Sequence, residues 1–385
     1  MGWIYRYNTY GRLFSLSVLL FLLLSGLVTV RVAVAMKALV VKPVAMLTAD
    51  DQGVPLACPS AVFFDKTSEE IYVINSGKGR IVVYGLDFFP RISLGAGRGV
   101  DAPYGGYING DGRLYVCQGR REDKPTRLTI LNAAFFPIKE NKFEGFEGAD
   151  TFIPRRVALG HDGKIYLAGI NTHGVIVLDS EGNYLRHLTP MDRVWIDEDK
   201  SGQGSETVSK KGPGKGPVLI LEVCTDKAGR IYLLSEETSK IYVYDQNENF
   251  LFSFGKKGGS SGKLSRPRGL AVDEDRGRIY VVDYLRHTIL VYNLSGRYLF
   301  EFGGRGWGPG WFNFPTSSAI DNQGHLIVAD FFNNRVQILE VPDFTELLPK
   351  AEDSNATKPE ESSLRDVESV PNFLAVPPSK KSRSR

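Results

Sequence analysis

Five histidines, three cysteines and one aspartate-rich stretch are the residues of this 385-residue chain best suited to metal binding or nucleophilic chemistry. His161, His173, His187, His287 and His325 are scattered, and no His-Glu-x-x-His pair puts two of them on one helix face. Cys58, Cys117 and Cys224 form no Cys-x-x-Cys, so neither a zinc ribbon nor an attached haem is indicated. No Gly-x-Ser-x-Gly elbow or phosphate-binding loop is present. DEDKSGQGSE, 197–206, begins like a calcium loop, with oxygens on Asp197, Asp199 and Ser201 and a turn at Gly202. Val208 stands where the bidentate glutamate belongs, so a solvated loop is the plainer reading and calcium or zinc the weaker one.

Recognition chemistry is better represented. FGGRGWGPGWFNFP, 302–315, sets Arg305, Trp307 and Trp311 among glycines and prolines that exclude helix and central strand. Tryptophan and arginine dominate interface hot spots, whereas buried aromatics pin loops, and both roles are open for this segment. Trp307, between Gly306 and Gly308, is expected to be displayed, and Trp311, leading into a strand, to be buried.

The elements that position these residues come from a repeat. In PRGLAVDEDRGRIYVVDYLRHTILVYNLSGRYLFEFG, 267–303, four β-rich runs alternate with turn residues, as in a four-stranded antiparallel meander. Its frame of Pro267, Asp273 and Tyr280 recurs as Pro59, Asp65, Tyr72; Pro103, Asn109, Tyr115; and Pro154, Gly160, Tyr166. A weaker copy runs Ile220, Asp226, Tyr232, and the last is Pro315, Asp321, Ile327. One such sheet cannot bury both faces, but six arranged radially can, which predicts an all-β, six-bladed β-propeller of four-stranded blades. The sixth copy supplies only three strands, and the orphan segment 38–47 is expected to complete it as the outermost strand, closing the ring.

Pro267-Arg268-Gly269, RIYVVD and ADFFNNRVQILE, 329–340, resemble the NHL repeat, and the loops KLSRPRGLAVD and FGGRGWGPGWFNFP resemble uncharacterised exported bacterial members of that family. The resemblance implies binding at the channel mouth, where Arg155, Arg156, His173, Glu236, Glu237, Arg268, Asp283, Arg286, His287, Asp330 and Arg335 would gather, with Arg305, Trp307 and Trp311 on the loop crossing that face. An arginine-rich mouth favours an anionic ligand or an acidic partner surface. Asp283 and Asp330 are also suited to holding loop amides, and Arg286 and Arg335 to pairing with carboxylates. Related propellers include a metal-dependent lyase and sugar-lactone hydrolases, so a lyase or hydrolase at the mouth is the competing class. Too few histidines converge to favour it.

The net charge of +3 and the lack of a basic stripe argue against nucleic acid. Arg6 and Arg12 precede an apolar run, Leu13–Val30, and Ala33-Val34-Ala35 suits cleavage, so 1–35 reads as a secretory signal or an uncleaved anchor. Residues 36–349 form the propeller, and the polar segment 350–385 reads as a disordered tail. The expectation is an exported, periplasmic or extracellular, monomeric and non-catalytic scaffold without cofactor. Its expected partner is another protein, such as a member of an envelope or cytochrome complex.

Overall fold

The computed structural model describes residues 41–122, 124–197 and 211–342. The N-terminal apolar run, Asp199 and Ser201 of the calcium-like stretch, and the polar tail lie outside the described residues. Twenty-six strands, β1 to β26 in chain order, make up the described fold. Blade one is β2 to β5 (59–94), blade two β6 to β9 (103–142) and blade three β10 to β13 (153–188). Blade four is β16 to β19 (222–254) and blade five β20 to β23 (267–303). Blade six is β24 to β26 (315–340) with β1 (Lys42–Leu47) as its outermost strand. β1 pairs antiparallel with β26, from Lys42 opposite Glu340 to Leu47 opposite Val336, and so closes the ring as the sequence predicts.

Each apolar cluster draws on two neighbouring blades, as radial packing requires. Leu47, Ile327 and Val336 of blade six meet Val62, Val73 and Tyr84 of blade one, and equivalent clusters join blades one to two, two to three, three to four and four to five. The frame tyrosines Tyr72, Tyr166, Tyr232 and Tyr280 are almost wholly buried. Tyr72, Tyr166 and Tyr232 also donate their hydroxyls to Glu70, Glu248 and Asp226, which satisfies the polar tip of a buried ring. The frame residues Asp65, Asn109, Asp226 and Asp321 accept amides of the first hairpin through their side chains, the usual reason for an Asp or Asn at a turn.

The insertion after blade three departs from the expected loop. Its ends pair as β14 (Met191–Asp197) and β15 (Lys211–Pro217), from Met191 opposite Pro217 to Asp197 opposite Lys211. The hairpin is tied to blade four where Asp192 accepts Lys240 Nζ at 2.7 Å and the Tyr242 hydroxyl at 2.6 Å.

Candidate functional site

The frame proline does more than start each innermost strand. In five blades the strand register slips immediately after it, leaving one bulged residue unpaired: Ser60, Tyr104, Arg155, Arg268 and Thr316. A bulge re-aims a side chain out of the alternating pattern. Blade four lacks the proline and has Leu221 in the equivalent place. All six residues line one cavity of about 320 Å³ at the channel mouth, together with Arg156, Tyr284 and Phe331. The glycine of Pro-x-Gly has its own cause. A Cβ on Gly105 would lie 2.2 Å from the Arg155 carbonyl oxygen, and one on Gly269 2.8 Å from the Ser317 Cα, so neighbouring innermost strands pass too closely for a side chain.

In blade three that glycine is replaced by Arg156, whose side chain crosses the channel. Its Nε donates to Glu222 at 2.8 Å, and its terminal nitrogens donate to the carbonyls of Tyr104 (2.9 Å), Arg155 (3.0 Å) and Ser60 (3.4 Å). One guanidinium thus ties blade three to blades four, two and one beneath the cavity. Burial pushes the Glu222 carboxyl above its ordinary pKa, against the pull of Arg156.

Above this tie, Arg155 lies over the Tyr104 ring at 4.0 Å, and Arg268 over the Tyr284 ring at 3.9 Å. Arg268 donates to Glu236 at 3.0 Å, and Arg266 shares the same carboxylate. Arg155 has no carboxylate partner among the described residues. Burial and the like charges of Arg156 and Arg268 lower its pKa from the usual guanidinium range, opposed only by Tyr104. Thr316 also belongs to the lining, and its buried hydroxyl finds no hydrogen-bond partner among the described residues. The site is a partly apolar cup with an uncompensated cation at its wall, suited to a carboxylate or another oxyanion.

The other predicted residues are placed differently. Arg286 makes a bidentate pair with Glu301 at 2.9 and 2.6 Å and donates to the Lys263 carbonyl at 2.7 Å, so it holds a loop rather than facing the cavity. His287 is buried, and its Nδ1 accepts the Phe314 amide at 2.9 Å. Burial and the nearby Arg305 lower its pKa. Asp283 and Asp330 accept the amides of Ser265 and Asn313 at 2.6 and 2.7 Å, the structural role anticipated for them. Asn75 and Gln118 do the same in blades one and two for Ala57 and Asp101. Among the described residues no three His, Cys, Asp or Glu side chains converge as a metal site, and the three cysteines are free.

Arg305 and Trp307 are exposed, Trp307 by 73%. Trp311 is not buried as expected, but 51% exposed, and the fully buried member of the loop is Phe312. The cause is a parallel bridge between Arg305 and Phe312, with the Phe312 amide donating to the Gly304 carbonyl at 2.9 Å, which turns Phe312 inward and lays Trp311 over the backbone of Gly304 and Gly306. The preceding crossing, 255–267, is built alike, with a Lys257–Leu264 bridge, a Leu264 amide donating to Lys256 at 2.9 Å, and Leu264 buried. There Gly259 and Lys263 occupy the places of Trp307 and Trp311. The clasp therefore closes without tryptophan. Phe314 packs on Tyr284 (4.8 Å between centroids) and on Phe332 (5.3 Å), which puts this loop beside the cavity.

Tyr104, Tyr284 and Thr316 were not anticipated at the mouth. The signal for two of them was present, since each follows a frame proline directly.

The fold and this mouth define a six-bladed β-propeller with a partly apolar, arginine-bearing cup at its axis. Residues 218–295 and 265–339 match a family described as a 6-bladed beta-propeller. The chain is similar in fold to a Bacteroides thetaiotaomicron protein of unknown function, with a TM-score of 0.53, 12% identity, and coverage of 79% of this chain and 73% of that one. It is similar to an auxiliary nutrient binding protein from Bacteroides ovatus, with a TM-score of 0.53, 16% identity, and coverage of 77% and 72%. It is also similar to virginiamycin B lyase from Staphylococcus aureus, with a TM-score of 0.51, 11% identity, and coverage of 77% and 99%. No curated protein matches the chain in sequence.

Proposed function

We propose that this protein is an exported, non-catalytic binding propeller of the NHL type, acting without metal or cofactor. Its channel mouth takes an anionic ligand, or an acidic group of a partner protein, between Arg155 and Arg268. Arg305, Trp307 and Trp311 make a second contact on the same face. The observation that carries this reading is Arg155, a partly buried guanidinium among like charges with no carboxylate to balance it. Holding such a charge is costly unless an anion is to be bound there. The sister loop supports the second contact, because it clasps with Leu264 alone, so the clasp itself does not require either tryptophan. One fold neighbour, named for nutrient binding, is in keeping with a binding role. The Leu13–Val30 run after Arg6 and Arg12 supports export.

The test is isothermal titration with succinate at low salt, on the wild type and on Arg155→Met and Arg268→Met. Binding that each substitution weakens tenfold or more supports the anion site. No binding to the wild type, or binding indifferent to both substitutions, overturns it.

A further inference from the structure

We propose that the anion site is the middle of a groove crossing the whole face, and that the groove takes an extended acidic peptide of a partner protein. This rests on the reading of the mouth as an anion site. Tyr104 lines both the central cavity and a second one of about 570 Å³ over blades one and two. Leu221 lines both the central cavity and a third of about 400 Å³ over blades four and five. In a ring of six blades the junction of one with two lies opposite the junction of four with five, so the three cavities form one line through the axis. An extended peptide of six residues, rising about 3.3 Å per residue, spans about 20 Å along this line.

The charges along this line select an acidic chain. At the blade-one end Lys78, Arg120 and Arg121 line the groove, and neither Lys78 nor Arg120 has an acidic partner among the described residues. Asp101, the carboxylate at that end, is already held by Lys124 at 2.8 Å and Arg127 at 2.6 Å. Arg155 and Arg268 follow at the centre. At the far end the charges nearly balance, with Glu236 taken by Arg266 and Arg268, and Lys257 near Glu237.

A polymer of sugars or nucleotides threaded along this line would need free aromatic faces within the central cavity, and the exposed Trp307 and Trp311 do not line it. Tyr104 and Tyr284 each have a face covered by a guanidinium, and the third ring, Phe331, meets Phe332 edge-on at 4.8 Å. A peptide with acidic side chains needs counter-charges instead, and the guanidiniums of Arg155 and Arg268 lie in the middle of the line.

The experiment titrates the full chain at low salt with hexaglutamate, hexagalacturonate and succinate, and repeats it with Lys78→Glu/Arg120→Glu, two exposed residues whose exchange leaves the fold intact. Hexaglutamate should bind at least tenfold more tightly than succinate. The double substitution should weaken hexaglutamate tenfold or more and leave succinate within twofold. If hexaglutamate gains nothing over succinate and ignores the double substitution, the groove is refuted while the central anion site stands. If hexagalacturonate binds more tightly than hexaglutamate, the occupant is a glycan and the peptide is refuted. If neither succinate nor hexaglutamate binds the wild type, the anion site itself fails and the groove with it.

Discussion

Truncation of Phe312, Trp311 and Trp307 to alanine should give three different losses of stability, in that order of size. Phe312 is fully buried, beneath Gly303 and near Phe302, so its removal leaves a cavity and costs about 3–5 kcal/mol. A tryptophan buries up to about 250 Å². Trp311, 51% exposed, keeps about half of that in contact, worth about 3 kcal/mol at 25 cal/mol/Å² and nearer 2 once compactness of the unfolded chain is allowed for. Trp307, 73% exposed, keeps about a quarter, worth about 1.6 kcal/mol at the same rate and nearer 1 with the same allowance. At roughly 2 °C per kcal/mol, thermal melts followed by far-ultraviolet circular dichroism should fall by about 6–10, 4 and 2 °C or less. A loss at Trp311 equal to or greater than that at Phe312 would refute the assignment of Phe312 as the clasp and of the tryptophans as displayed.

Three further outcomes follow from the same geometry. His287 has a folded pKa below its ordinary 6.5, so the folded state binds fewer protons than the unfolded one; its contribution is complete above pH 6.5 and is lost as pH falls from 6.5 toward the lowered value. The wild type should therefore lose more thermal stability between pH 7.5 and 5.5 than His287→Asn, which keeps an acceptor for the Phe314 amide; equal losses would contradict this. Arg156→Met leaves Glu222 buried without its partner and should cost about 3–5 kcal/mol in urea unfolding, and a cost under about 1 kcal/mol would contradict the cross-channel tie. A chain begun at Pro55 lacks β1 and exposes the edge of β26, so it should melt earlier and aggregate, whereas an unchanged cooperative melt would contradict closure at the seam.

The ring was legible because its signals are local and repeated. A proline, a turn aspartate and a buried tyrosine at fixed spacing report a blade wherever it sits, and the surplus strand 38–47 had one vacancy to fill. The mouth was legible only in part. Arg268 could be placed because Pro-Arg-Gly is intact, but the bulge that turns the residue after each proline into the channel is a backbone event with no residue type of its own. Tyr104 was therefore not singled out, and Arg156 showed no sign in sequence that it would span four blades. Trp311 was misjudged for a related reason. The buried place in the clasp lies three residues before the frame proline, as Leu56, Val100, Leu264 and Phe312 all show, and Trp311 stands one residue too early.

The most direct measurement of the central claim is a crystal structure of the protein soaked in succinate. A carboxylate within hydrogen-bonding distance of the Arg155 guanidinium, in the cup formed by the six bulged or equivalent residues, is the predicted result. An empty cup at a succinate concentration that saturates binding in solution, or succinate bound only elsewhere, would contradict it.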